Sequence, residues 1–550
     1  MAEEKAVPLA QRLDELFQPW NRSDAPGFVV AVAQRGELLY RRAFGLASVQ
    51  SGLANLPNTR MRVGSTTKHF CALSILLLEE EGKLALDAPV RTYLPELGGI
   101  AGTPTLRQLL NHTGGVRDPF MTMLFMNKGI YGHGPAGSTL QLMQRFTECN
   151  FAPGTNFAYC NSGYTLLSIV IERLSGKPLK EFFRERLFAP LGMRDTELMP
   201  SDRELLPNLA DFHVPQAGGG WKRGVYPSDE LLGSGGVISS IDDMMVWMAH
   251  RGGKPATWAR LLERPRYDGG LEGVYCLALI REAYRGVELV HHAGATLGCQ
   301  CQMLMVPEHG LDIIVMSNRM DGAAPAMANK IVDVVLEKHL KPALPLAEAA
   351  KYPGAQGRWF NARERKLLVI AAAKQPQADA PEGLMLSVYG QPTGLLVDDQ
   401  GVLKRPNTAL EPVGIRPPAA TDARPATLDV SVFGRAVKFE RVPDEKIEPA
   451  AFAGAIVGRY RYTEFGTEVE LVLKDGKLLL DFLPDYGKAQ WEMEPVSPEL
   501  ALLGILHTEP PFPLPNPAQL CFKREGGAVR GFWLSTDRGR EYWFERLAAA

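Results

Sequence analysis

The stretch GSTTKHFCALSILLLEEEG, Gly64 to Gly82, decides how this chain folds. Its centre, Phe70 to Leu78, is almost wholly apolar, and Gly82 supplies a stop, so the spacing predicts a strong helix after Lys68. Ser65 and Lys68 stand three apart at its start and share a face. A helix N-terminus carries free backbone N–H groups and a partial positive charge. Such groups stabilise the negative charge that develops when a serine attacks a carbonyl. A neighbouring lysine, desolvated so that its pKa falls, can take the serine proton. The plainer alternative is Ser65 as an N-cap with Lys68 in water.

Moving outward, Phe28 to Ala43 reads as a hairpin about Arg35-Gly36, preceded by a helical Pro8 to Trp20. Tyr164 to Arg173 is a second apolar helix, stopped near Gly176-Lys177-Pro178. Leu311 to Ser317 is a buried strand, and Ala326 to Leu340 a closing helix. This order implies one sheet packed by helices, with a helical lobe inserted. At Lys341 the composition changes, and KPALPLAEAAKYPGAQ looks like a linker. Short alternating strands follow, such as Leu384 to Tyr389 and Ala426 to Phe433. Gly357-Arg358-Trp359 is echoed by Gly458-Arg459-Tyr460, and Lys438-Phe439-Glu440-Arg441-Val442 by Trp543-Phe544-Glu545-Arg546-Leu547. Each copy holds enough strands for a small antiparallel barrel that closes its own edges. The expected organisation is a hydrolase-type domain over 1–340, a linker over 341–356, and barrels over 357–445 and 446–550.

With 550 residues the chain is too long for one core. Lys and Arg number 60 against 62 Asp and Glu, which argues against a dedicated nucleic-acid binder. The longest apolar run falls well short of the roughly 20 residues that span a bilayer. The opening residues lack a basic segment followed by an apolar one, so a cytoplasmic location is expected, with a periplasmic one as the alternative. Seven cysteines without CxxC spacing read as free thiols.

Two further groups of residues could do chemistry. Tyr159-Cys160-Asn161 sits on a turn before the Tyr164 helix. A tyrosine near a lysine loses its proton more easily and can relay it to a leaving group, and Asn161 could donate to a substrate carbonyl. Locally, a packed Tyr159 and a capping Asn161 are the simpler alternative. His292-Ala293-Gly294 ends a strand-like run, where a small residue and a glycine let a substrate backbone approach closely.

Taken together, SxxK, YxN and HxG in this order resemble the penicillin-recognising serine hydrolases, in the class C β-lactamase and esterase branch. Leu109 to Gly115, Phe188 to Thr196 and Gly235 to Met244 resemble further segments of that branch. The HxG motif and two terminal barrels resemble the bacterial D-stereospecific aminopeptidases, whose YSYCN stretch is similar to Phe157 to Asn161. The resemblance implies a multidomain α+β chain: a β-lactamase/penicillin-binding-protein-like domain, with an antiparallel sheet, helices and a helical lobe, then two small antiparallel β-barrels. It implies Ser65 as nucleophile, Lys68 as its base, Tyr159 as proton relay and His292 as the residue holding that network. The oxyanion hole would be the N–H groups of Ser65 and Ala295, past Gly294. In that family a loop of the last barrel enters the site, and the matching stretch, Leu483 to Lys488, offers Asp485 for a substrate ammonium.

There are departures. The family's arginine after HxG is replaced by Cys299-Gln300-Cys301, and its asparagine on the preceding strand by Ala278-Leu279-Ile280. Both make the pocket less polar and put the substrate in doubt. The expected substrate is a short peptide or amide with a free N-terminus and D-residues. The rivals are esters or larger peptides on the same machinery, and a non-catalytic ligand-binding protein. No metal or cofactor is expected, since the chain lacks HExxH and clustered Cys/His spacing. No nucleic-acid or membrane partner is expected, and a homodimer is left open.

Overall fold

The protein is described from a computed structural model over residues 7–118, 134–267, 269–374, 381–389, 391–406, 412–419, 424–482, 489–507, 518–536 and 538–548. Helix α1 (Leu9–Phe17) leads into strands β1 (Phe28–Gln34) and β2 (Glu37–Phe44). Arg35 and Gly36, both at positive φ, make the two-residue turn that the right-handed strand twist favours. Helix α2 (Lys68–Glu80) follows, then α3 (Asn161–Ser175), α4 (Ile241–His250), β3 (Ile280–Tyr284), β4 (Val287–Thr296), β5 (Cys299–Val306), β6 (Leu311–Ser317) and α5 (Ala324–Val335). The sheet order is β3-β4-β5-β6-β1-β2. The N-terminal hairpin therefore lies beside β6, pairing Phe28 with Ser317 and Gln34 with Leu311, and the chain between β2 and β3 is held as a lobe.

Strand alternation sorts side chains between two cores. Phe28, Val30 and Val32 join Leu13, Phe17 and Ile331 of α1 and α5. Val29 and Ala31 face the other way, into a larger core with Phe70, Leu73, Leu76 and residues of α3 and α4. Helix α2 is buried nearly all round through its largely apolar centre, residues 70–78. All seven cysteines are free thiols. No helix among the described residues is long and apolar enough to cross a membrane.

Beyond α5 the fold is all β. Strands from Gly357 to Val442 form a nine-stranded antiparallel sheet, whose edge strands Gln391–Gly394 and Leu396–Val397 are separated by a single residue, so the sheet curls until its edges meet. The 341–356 stretch is bonded onto it through Ala347 N–H to Leu395 O and Ala349 N–H to Glu382 O. Strands from Gly458 to Arg546 close into an eight-stranded barrel, into whose core the helix Pro449–Ile456 packs Phe452 and Ile456. The repeated sequence has one physical meaning in both. The aromatic of Gly-Arg-Trp/Tyr bonds the carbonyl four residues back: Trp359 Nε1 to Ala355 O at 2.9 Å, Tyr460 OH to Ile456 O at 2.6 Å. The arginine of the closing Glu-Arg spans two carbonyls of the entry segment, Arg441 those of Gln356 and Gly354, and Arg546 those of Ala455 and Val457. Each also lies over the aromatic ring, Arg441 at 4.2 Å from Trp359 and Arg546 at 5.9 Å from Tyr460. First and last strands are thereby locked together.

The eight-stranded barrel is clamped to the first domain by a buried ion pair. Arg117, fully buried, donates to the Glu464 carboxylate and to Tyr462 OH (2.8 Å), with its guanidinium 4.6 Å from the Tyr542 ring. The second Glu464 oxygen accepts the N–H groups of Thr147 and Glu148 at 2.9 and 3.0 Å. Phe465 packs on Phe146 and belongs to both cores. Breaking such a pair leaves a buried charge uncompensated. Glu464→Ala should therefore cost about 3–5 kcal/mol, seen as a lower urea midpoint; an unchanged midpoint would mean the domains do not depend on this clamp.

Candidate active site

Ser65 lies in a 3₁₀ turn, Gly64–Thr67, that runs directly into α2 at Lys68. In a 3₁₀ turn residues i and i+3 eclipse, so the two side chains meet: Lys68 Nζ is 3.2 Å from Ser65 Oγ. The Lys68 amine also donates to Ser234 O at 2.6 Å and to Asn161 Oδ1 at 2.8 Å. Both of these oxygens can only accept. A neutral amine has two N–H groups for them and turns its lone pair to the one partner able to give a proton, the Ser65 hydroxyl.

Lys68 is fully buried, and its pKa falls from 10.5 to about 7, through desolvation first and the Arg538 charge second, with the Asp118 carboxylate opposing them. The rings of Tyr159 and Tyr164 lie 4.8 and 5.2 Å from Nζ. Tyr159 is itself pushed well above the usual phenol range, by burial first, with the Ser65 hydroxyl as a hydrogen-bonding neighbour that lowers it in part. At neutral pH the site thus holds a lysine near its midpoint and a protonated tyrosine.

Asn161 is the first residue of α3, and the residue before it, the N-cap Cys160, makes no side-chain capping bond. Asp118 takes that task, accepting the Asn161 N–H at 2.9 Å, which leaves the Asn161 amide for Lys68. Nothing about Asp118 stands out in the sequence; the long excursion between it and Asn161 hides the pairing. His112 carries no catalytic signal of its own in the sequence and stands within the segment Leu109 to Gly115. At positive φ it accepts the Cys160 N–H on Nδ1 at 3.2 Å, and its ring lies 4.3 Å from that of Tyr159. It is a pillar beneath the tyrosine.

The expected partner of His292 was the Tyr159 network. Its hydrogen bonds instead run to Tyr275 OH, 2.8 Å from Nε2, and to Ala293 O, 2.6 Å from Nδ1. Burial holds its pKa well below the usual imidazole value, so it is neutral, with Nδ1–H donating and Nε2 accepting from Tyr275. The Tyr159 ring is 6.4 Å away. Tyr275, absent from the sequence-based candidates, links His292 to the core that the nine-stranded sheet shares with Phe157.

Ser65 and β4 meet backbone to backbone. Thr66 Oγ1 donates to His292 O at 3.2 Å. A Cβ on Gly64, at φ +53°, would stand 2.6 Å from Ala295 N, and one on Gly294 would stand 1.8 Å from Val63 O. Only glycines allow this approach, which brings the Ala295 N–H to the Ser65 turn. Strand β3 pairs with β4 only as far as His291, and Ala278 at positive φ turns the preceding chain away. The Ala293–Ala295 edge is left free of β3, and Ala295 is exposed. On β5, Gln300 points its amide to Met320 O and Ala324 N–H, and Cys299 and Cys301 are buried, so that strand brings no charge to the site. Ser65, Lys68, Tyr159, Asn161, His292, Gly294 and Ala295 thus gather in one place, while Asp485 lies outside the described residues. Among the described residues no cluster of His, Cys, Asp or Glu is placed to hold a metal.

The beta-lactamase family model matches residues 11–336. The chain belongs to the beta-lactamase family. It is similar over nearly its whole length to D-aminopeptidases, with 27% identity to that of Cereibacter sphaeroides (95% of this chain, 96% of the relative) and 28% to that of Brucella ovis (94% and 95%). Its fold matches the octameric penicillin-binding protein homologue from Pyrococcus abyssi at a TM-score of 0.53 and 20% identity, over 86% of this chain and 98% of the other.

The pKa of Lys68 sets a pH dependence. A lysine depressed to about 7 is a free base above that pH, so acylation of Ser65 by an activated ester should rise with pH through about 7 and then level. Asp118→Asn keeps a capping oxygen but removes the charge that favours the ammonium, and should shift this limb to lower pH. Burst kinetics across pH would measure both; a limb near the ordinary lysine value, or an upward shift on Asp118→Asn, would refute the assignment.

Proposed function

We propose that the protein is a serine hydrolase that cleaves short peptides or amino-acid amides with a free N-terminus, selects D-residues, and works through an acyl-enzyme. The observation that carries this is the Lys68 amine, fully buried, pulled down to about 7 and set 3.2 Å from Ser65 Oγ. Ser65 Oγ attacks the substrate carbonyl and its proton passes to Lys68. The oxyanion is received by the N–H groups of Ser65 and Ala295. The proton then goes through the Tyr159 hydroxyl to the leaving nitrogen, the C–N bond breaks, and the acyl group remains as an ester on Ser65. Water then attacks the ester, its proton passes through Tyr159 and Lys68 to Ser65 Oγ as the acyl–Oγ bond breaks, and the acid leaves with Ser65 restored. Since Tyr159 is held protonated, Lys68 is the better acylation base and Tyr159 the better relay. Asn161, anchored by its Oδ1, has its Nδ2 to donate to a substrate carbonyl, and the β4 edge can bond a substrate backbone. His292 and Tyr275 hold that edge from behind.

Free-amine and D-residue preference rest on the likeness to D-aminopeptidases, and Asp485 is the proposed partner of the substrate ammonium. Ser65→Ala should keep the fold and reduce kcat by on the order of 10⁶, as losing a covalent nucleophile does in serine enzymes. A tenth of wild-type turnover remaining would exclude the mechanism. D-alanyl p-nitroanilide, its L-isomer and a p-nitrophenyl ester, assayed side by side, test the specificity. The D-anilide should be cut fastest of the anilides, and an ester-only activity would replace the peptidase with an esterase.

A further inference from the structure

A cleft of about 830 Å³ opens between the helix Leu106–Leu110 and the end of the helix Pro255–Leu261, with Gln108, Asn111, Gly154 and Arg264 in its walls. Asn111 is only 5% exposed. Its Oδ1 accepts the Thr113 N–H at 3.2 Å and the Thr113 hydroxyl at 2.7 Å, and accepting an N–H fixes which end of the amide is oxygen. Its Nδ2, with two N–H groups to give, has no acceptor among the described residues. Gln108 repeats the pattern three residues earlier. Its Oε1 closes a capping box by accepting the Thr105 N–H at 3.0 Å, and its Nε2 has no acceptor among the described residues. A Cβ at Gly154 would stand 3.1 Å from that nitrogen, so the glycine leaves the amide uncovered. The other wall is cationic: five arginines line the cleft against two glutamates. Glu263 is held by Arg107 and Glu272 by Arg266, each at 2.9 Å. Arg260 is paired with Glu79, and Arg281 with Glu288 at 2.8 Å. Arg264, directly after the helix Pro255–Leu261, is the least satisfied. Its nearest carboxylate is that same Glu288 at 3.7 Å, beyond hydrogen-bond range, and its bond to Gly273 O is 3.5 Å long.

We propose that this cleft is a binding site for a small, multiply charged oxyanion, phosphorylated or polycarboxylic, held by Asn111 Nδ2, Gln108 Nε2 and the Arg264 guanidinium. All three groups offer N–H donors and none offers an acceptor, which suits a ligand rich in anionic oxygen and repels a cation. A buried donor left unpaired costs free energy, and a charged oxygen satisfies it with a bond about twice as strong as a neutral one does. The guanidinium adds a planar fork that fits a phosphate or a carboxylate with two parallel bonds. A cleft walled mainly by one sign of charge focuses its field and draws the opposite charge in. Its volume lies in the range of small-molecule sites, roughly 300–1,000 Å³, and leaves room for more than one anionic group. The site adjoins the active site without entering it. Asn111 is followed by His112, whose ring lies 4.3 Å from that of Tyr159, and the three donors bond none of Ser65, Lys68 and Tyr159. The proposal therefore stands apart from the hydrolytic reading of Ser65.

The test is calorimetric titration of the full chain with pyrophosphate and, separately, with citrate, against sodium chloride at matched ionic strength. At least one of the two should bind saturably, one per chain, and the tighter arm identifies the class. Three variants locate the site. Gln108→Glu keeps the oxygen that closes the capping box and puts a carboxylate oxygen where the free donor was, so the helix start is preserved. Asn111→Asp does the same beside Thr113, and Arg264→Gln removes the cation. Each should weaken binding by about tenfold or more, the loss expected when a hydrogen bond to a charged group is removed. Arg264→Lys should recover part of it, and Ser65→Ala should bind as the wild type does. The bound anion should also raise the melting temperature of the wild type and of Ser65→Ala more than that of Gln108→Glu. No saturable binding of either anion would overturn the proposal. Binding that Gln108→Glu and Arg264→Gln both leave unchanged would place the anion elsewhere on the chain and overturn it equally.

Discussion

The ammonium of Lys68 has no surface in water, and the arrangement around Ser65 depends on how that burial is tolerated. An isolated buried charge is too costly to keep, and the group answers by giving up its proton. Ser234 O and Asn161 Oδ1 then satisfy the two N–H groups of the neutral amine, and the lone pair is left for Ser65. The apolar helix α2 is what removes the water. Its buried residues Phe70, Leu73 and Leu76 anchor the first domain's core, so the packing that stabilises the domain also pulls its lysine's pKa down.

Around this centre other residues free the reactive ones from structural duties. Asp118 caps α3, so Asn161 need not. His112 packs on Tyr159 and Tyr275 bonds His292, and the glycines at 64 and 294 permit the close backbone contact between the Ser65 turn and β4. Each is an ordinary physical requirement met one residue away from the chemistry.

The two β units are more than appendages. The nine-stranded sheet shares a core with Phe157 and Tyr275. The eight-stranded barrel grips the first domain through Arg117 and Glu464, and sends Arg540 and Arg538 to the tyrosine segment. The buried ion pair is strong evidence of a fixed interface because neither charge could remain there without the other. With the interface fixed, the last barrel can shape the site.

By itself the sequence determined the local elements and set Ser65 and Lys68 three residues apart. The apolar run after Lys68 could only be a buried helix, Ser65 and Lys68 had to share its face, and Arg35-Gly36 had to turn a hairpin, because these follow from periodicity and backbone sterics within a few residues. The paired Gly-Arg-aromatic and Glu-Arg signatures marked the two β units, since each closure needs the same aromatic and arginine at its ends. Tertiary structure alone decided the rest. Asp118 and Asn161, Tyr275 and His292, and above all Arg538 and Tyr159 are far apart along the chain and carry no shared pattern. Their pairing depends on how the lobe, the sheet and the barrel dock, and docking is governed by the fit of buried surfaces, which no local spacing records.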